Sequence, residues 1–165
     1  MTRIGLISDT HGYLDQRVFD LFEACDEIWH AGDIGTLQVT DALADFKPLR
    51  AVYGNIDGHK IRAAHPEHQR FVCESVSVWM THIGGYPGRY APPVREAIRQ
   101  NPPRLFICGH SHILKVMPDK KLGLIHMNPG AAGKHGFHKV RTLLRFTVDG
   151  EQLKDLEAIE LGKRG

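Results

Sequence analysis

The sequence predicts a layered α/β domain built on a mixed sheet or two stacked sheets, and three observations predict it. Apolar runs alternate with helix-like stretches in the first half of the chain, paired apolar runs joined by tight turns fill the second half, and run after run stops at a glycine-containing turn. At 165 residues the chain is long enough for one domain with a proper core and short for two, so residues 1–165 are read as a single domain.

The elements follow in order. Ile4 to Ser8 is a short apolar run with the character of a buried strand; "DTHG" leaves it, and Val18, Phe19, Leu21 and Phe22 share one side of a helix expected over Leu14 to Cys25. A second strand, Glu27 to Ala31, ends on "GDIG" and leads into a short amphipathic helix over Leu37 to Phe46. The third strand, Leu49 to Tyr53, ends on "GNIDG"; the polar "HKIRAAHPEHQR" after it lacks a clear period and reads as a surface loop or irregular helix. Phe71 to Cys73 and Val76 to Met80 read as a strand pair whose second member ends on "THIGG". "YPGRYAPP" reads as a loop, and its Pro93 suits the first turn of a helix over Val94 to Gln100. Leu105 to Cys108 then runs into "GHSH", and from Leu114 onward antiparallel strands are expected, one tight turn falling at Asp149 and Gly150.

Composition narrows the function classes. Lys and Arg number 21 against 19 Asp and Glu, with no block of like charge, so nothing favours nucleic acid as a partner. No stretch approaches the roughly eighteen apolar residues of a membrane span, and a soluble cytoplasmic protein is expected. Cys25, Cys73 and Cys108 are odd in number and far apart, which suggests neither a disulfide framework nor a thiolate zinc site. Trp29 and Trp79 fall in strand runs and are read as core.

Histidine is abundant, at eleven residues, and its placement carries information. In "RLFICGHSHILKV", His110 and His112 stand two apart, so an extended chain points both the same way and offers two nitrogen ligands to one region. Asp9 and His11, then Asp33, Asn55 and His82, stand in the same way where other apolar runs end. Singly, each has an ordinary reading: a helix cap, an Asx-turn, a left-handed asparagine, a core histidine. Together they recur at one topological position, the carboxyl ends of strands, where ligands gather in such folds. Gly32, Gly54 and Gly109 fit sharp backbone turns with room for an anion.

The ordered set D-x-H, G-D, G-N, a lone histidine and G-H-x-H, from Asp9 to about Asn128, resembles the calcineurin-like metallophosphoesterase superfamily, within it the small bacterial and archaeal phosphodiesterases. The resemblance implies a four-layer sandwich of two mixed β-sheets flanked by helices, and two divalent metal ions. Asp9, His11, Asp33 and His112 would hold one ion and Asp33, Asn55, His82 and His110 the other, with Asp33 as the bridge. It further implies a phosphodiesterase acting through a hydroxide that bridges the two metals, with Asp33, Asn55 and His82 as its catalytic residues and a small phosphoester as its substrate; a homo-oligomer stays open. Two ions about 3.5–4 Å apart suit that chemistry, and a donor set without thiolate suits Mn²⁺, which is favoured, with Fe, Zn²⁺ or Ni²⁺ as alternatives. "NPG" at Asn128 to Gly130 also resembles a family feature and is read as a structural turn.

The sequence departs from the superfamily at Ile56, where many members carry a histidine thought to protonate the leaving group. His59 is a weak substitute. His30 is read either as a residue orienting a ligand or as a buried strand residue, His126 as a pocket residue, and His65, His68, His135 and His138 as surface. Two other functions compete with hydrolysis. One is an interaction scaffold on the same small fold, similar to the retromer subunit, in which some ligands should be lost; the other is histidine-rich metal storage, which needs neither a bridging Asp nor a G-N turn.

Overall fold

In the computed structural model, which describes residues 1–165, two five-stranded mixed sheets stack face to face. The first has the order β12-β11-β1-β2-β3, formed by β1 (Thr2–Ile7), β2 (Glu27–His30), β3 (Leu49–Ala51), β11 (Val140–Asp149) and β12 (Gln152–Lys163). Its β1, β2 and β3 are parallel, while β11 and β12 return antiparallel. The second has the order β4-β5-β8-β10-β9, from β4 (His68–Cys73), β5 (Val76–Thr81), β8 (Leu105–Ile107), β9 (Leu114–Asp119) and β10 (Leu124–Pro129). There β5, β8 and β10 are parallel and the antiparallel β4 and β9 form the edges.

Alternation along the strands divides the core into layers. Ile4 and Leu6 point between the sheets, where they meet Trp29, Val78, Met80, Ile107, Met127 and Phe146. Trp29 packs edge-on to Phe71 and Phe146 at 5.0 and 5.8 Å, and truncating a residue this deep to Ala costs about 3–5 kcal/mol. Ile7 and Ile28 face the other way and bury Val18 and Phe22 of the α1 (Arg17–Leu21) region and Leu43 of α2 (Leu37–Phe46). On the far side, Trp79 and Phe106 cover Val94 and Ile98 of α4 (Pro92–Gln100). The order of layers is helix, sheet, sheet, helix. No helix is long and apolar enough to cross a membrane.

Three expectations need correction. The helix expected over Leu14 to Cys25 is only Arg17–Leu21. Asp15 turns the chain just before it by accepting the Arg17 N–H at 2.9 Å, and is itself drawn to Arg141 of β11 at 2.9 Å; after Phe22 the chain turns so that the Asp26 N–H can reach the Arg3 carbonyl at 2.7 Å. The "HKIRAAHPEHQR" segment holds a regular helix, α3 (His59–Ala64), and its last residues already belong to β4. Within "YPGRYAPP", Tyr86 and Arg89 pair in a small hairpin of β6 (Gly85–Tyr86) and β7 (Arg89–Tyr90), and α4 starts at Pro92 because both prolines suit a first helical turn.

Candidate metal centre

Parallel strands align their carboxyl ends, so the turns after β1, β2, β3, β5 and β8 converge. The turns lace together through their backbones: Asp9 N–H donates to the Gly32 carbonyl at 2.9 Å, His11 N–H to Asp33 at 3.0 Å, and Gly109 N–H to His82 at 3.0 Å. Asp9, His11, Asp33, His110 and His112 all adopt positive φ, between 47° and 71°. Such conformations cost about 1–3 kcal/mol each and persist only where the surroundings fix them. The expected glycines act differently from the reading above. Gly32 alone of the three has positive φ, at 103°, and a Cβ there would lie 2.6 Å from His82 Nδ1. At Gly109 a Cβ would lie 2.7 Å from Asp9 Oδ2. The room these glycines leave is filled by the candidate ligands themselves.

All seven expected side chains reach this one region. Two clusters form, Asp9 with His11 and His112, and Asp33 with His82 and His110. Asp33 joins them: its Oδ2 lies 3.4 Å from His11 Nε2 and 3.2 Å from His82 Nε2, while its Oδ1 accepts the Ile56 N–H at 3.1 Å. Asp9 Oδ2 is held by the Ser8 hydroxyl at 2.7 Å and the His110 N–H at 3.2 Å, leaving Oδ1 toward His112 Nε2 at 3.1 Å. Asn55 Oδ1 lies 3.0 Å from His110 Nδ1. His82 donates from Nδ1 to the Ala31 carbonyl at 2.8 Å, which leaves its Nε2 bare.

Asp9 Oδ1, His11 Nε2 and His82 Nε2 are buried and make no hydrogen bond. Buried polar atoms without partners are costly, and these three, the two histidine nitrogens lying 3.8 and 3.7 Å from Asp9 Oδ1 in a set of imidazole and carboxylate donors, fit divalent cations. The charges agree. Burial alone would raise the carboxyls of Asp9 and Asp33, yet the facing histidines hold both well below the usual carboxylate range. The carboxylate of Asp33, then that of Asp9, raises His11 to about 9. Burial works against charge on His82, but Asp33 and Asp9 outweigh it and raise its pKa. This centre attracts positive charge.

An open cleft of about 460 Å³ is lined by His11, Asp33, Asn55, His110 and His112, while Asp9 and His82 are buried. Ile56, Ile113 and Phe137 expose apolar surface at its mouth, Phe137 completely. His59 lines a separate hollow beside Thr36 and is no donor to this cleft. Buried His126 contacts Cys108 and the Gly85 carbonyl and lines a neighbouring hollow. His30 is fully buried and pins two turns: its Nε2 donates to Thr10 Oγ1 at 3.0 Å and its Nδ1 accepts the Gly32 N–H at 3.1 Å. Asn128 of "NPG" holds the "GHSH" turn by donating to the Gly109 carbonyl at 3.0 Å and to Ser111 at 3.1 Å.

Sequence reasoning missed three residues. Asp57 is buried and accepts the N–H groups of Ile34, Gly35 and Gly54 at 3.0, 2.9 and 2.8 Å, tying the turn of Asp33 to that of Asn55. His135, exposed as expected, stacks on His11 with centroids 4.9 Å apart, and His138, expected at the surface, is half-buried and meets His112 at 3.2 Å. The pair "HGFH" after a sixth apolar run, "LIHMNP", was the available signal.

The chain is similar to known proteins. Residues 2–151 match the model of the calcineurin-like phosphoesterase superfamily domain. A probable metallophosphoesterase of Methanothermobacter thermautotrophicus is 29% identical over 166 residues, covering 96% of this chain and 92% of that protein. A solved archaeal phosphodiesterase superposes with a TM-score of 0.76 at 20% identity, over 96% of this chain and 99% of its own. Vps29 of Entamoeba histolytica, solved in complex with zinc, has a TM-score of 0.72 at 16% identity, over 97% and 98% of the two chains.

Proposed function

The chain belongs to the calcineurin-like phosphoesterase superfamily, and from that premise we propose that it is a metal-dependent hydrolase of phosphoesters, with diesters as its substrates. Asp9, His11, Asp33 and His112 would hold one divalent cation and Asp33, Asn55, His82 and His110 a second, Mn²⁺ being favoured over Fe, Zn²⁺ or Ni²⁺. The observation that carries this reading is Asp33 Oδ2, within 3.4 Å of one histidine from each cluster while Oδ1 is occupied by backbone. A bound pair of such ions supplies an activated water and neutralises phosphoryl oxygens during in-line displacement.

The protein's own groups set the rest. Ala31 fixes the His82 tautomer, Ser8 and the His110 N–H orient Asp9, and Asp57 holds the Asp33 and Asn55 turns in register. Ile56 offers no proton to a leaving oxygen. With Ile113 and Phe137 it gives the mouth an apolar rim, which supports an aryl or similarly apolar ester arm with a good leaving group. The fold likeness to Vps29 favours a second reading, a protein-interaction scaffold.

Metal-stripped protein, screened with Mn²⁺, Fe²⁺, Zn²⁺ and Ni²⁺ against bis(p-nitrophenyl) phosphate, aryl monoesters and alkyl diesters, separates the two. Hydrolysis that requires added metal is expected, fastest on the aryl diester. Metal binding with no turnover of any ester would favour the scaffold.

A further inference from the structure

We propose that the loop Gly130–Lys139 braces one half of the metal centre, and that His138 is a positioning residue fixing the His112 ring with a bare Nε2 toward the site. This rests on the reading that His112 holds a metal. His138 Nε2 lies 2.8 Å from the Gly133 carbonyl, which can only accept, so Nε2 carries the proton. The neutral ring then has a bare Nδ1, and that atom lies 3.2 Å from His112 Nδ1. Two bare nitrogens do not bond, so His112 donates from Nδ1 and its Nε2 is left bare, 3.1 Å from Asp9 Oδ1. A backbone carbonyl thus sets, through two imidazoles, which nitrogen is offered to a cation.

The same loop touches the other imidazole of that half, since His135 stacks on His11 with an interplanar angle of 27°. The second half is held elsewhere, His82 by Ala31 and His110 against Asn55. Close approach of the loop requires Gly136, whose φ is 130° and where a Cβ would collide with His112 Nδ1. The brace therefore acts on one cation site and spares the other.

The test compares His138→Phe, which keeps bulk but removes the acceptor, with His138→Asn, whose Oδ1 can stand where Nδ1 stood. Nitrogen-15 NMR of the metal-free protein reads the tautomer directly. Wild type and His138→Asn should show His112 protonated at Nδ1, and His138→Phe should lose that preference. Calorimetric Mn²⁺ titration should then show one of two sites weakened by about 10–100-fold in His138→Phe, the other unchanged, and recovery in His138→Asn. If His138→Phe does not fold, Gly136→Ala, which pushes the loop off His112, gives the same readouts. A wild-type His112 protonated at Nε2, or a folded His138→Phe with unaltered tautomer and affinities, overturns the proposal. Failure of the wild type to bind two cations would instead refute the metal assignment, and the tautomer measurement would still decide the role of His138.

Discussion

Replacing Asp57 by Asn should loosen the fold and the candidate site together. The carboxylate is only 3% exposed and takes three backbone N–H groups, two on Oδ2 and one on Oδ1. An amide keeps one oxygen. Placed to serve Ile34 and Gly54, it turns its own NH₂ toward the Gly35 N–H and leaves that donor unpaired, at about 1–3 kcal/mol; the two remaining bonds drop from charge-assisted to neutral, at about 1 kcal/mol each. The expected loss is about 3–5 kcal/mol, a large part of a typical stability of about 5–15 kcal/mol, or roughly 6–20 °C in Tm for a chain of this size. The Asp33 and Asn55 turns lose their common anchor, so Mn²⁺ affinity per folded molecule should fall as well. Urea unfolding in the presence of chelator and calorimetric metal titration measure the two effects. A stability within about 1 kcal/mol of wild type would refute the triple anchor, and a large loss of stability with unaltered metal affinity would refute its coupling to the site.

Asp33→Asn should abolish hydrolysis with the fold largely intact, since an amide oxygen can still accept the Ile56 N–H, though Tm in chelator should fall at neutral pH because the His11 ion pair loses its carboxylate; turnover like wild type with verified metal content would mean that the bridge is elsewhere. The rate should depend steeply on leaving-group pKa, because a positioned acid contributes about 10²–10⁴-fold and Ile56 is none. Ile56→His should help alkyl esters most, and a flat dependence across an aryl-to-alkyl series would reveal an unrecognised donor. In metal-free protein His11 titrates near 9 against about 6.5 unfolded. Its ion pairing therefore stabilises fully below about pH 6.5 and is lost as pH rises through about 9. Thermal melts in chelator should show Tm falling between pH 7 and 9.5 from this group, and a rising Tm there would contradict the Asp33–His11 contact. With Mn²⁺ bound, which requires the neutral ring, that fall should vanish.

Much of the fold was legible because buried parallel strands read as continuous apolar runs, and the candidate site was legible because each such run stops where its ligand stands. Helix α1 was overread for a physical reason: Val18, Phe19, Leu21 and Phe22 do keep helical spacing, but Asp15 is recruited by Arg141 from a distant strand. His138 lies in a polar stretch and was read as surface, and nothing local shows the parallel partner of β10. Its parallel pairing with β8 aims its carboxyl end, and the loop beyond, at the cleft. Asp57 looked like any turn residue, since no local pattern shows that the turn after β2 lies against the turn after β3. Long-range pairing decides all three.

The most direct test of the two-cation centre is stepwise reloading of metal-stripped protein with Mn²⁺, with bound metal and hydrolysis of bis(p-nitrophenyl) phosphate measured on the same samples. A centre bridged by Asp33 predicts two equivalents bound per chain and a rate near background until the second begins to fill. Full rate at one equivalent, or two equivalents bound with no hydrolysis, would contradict it.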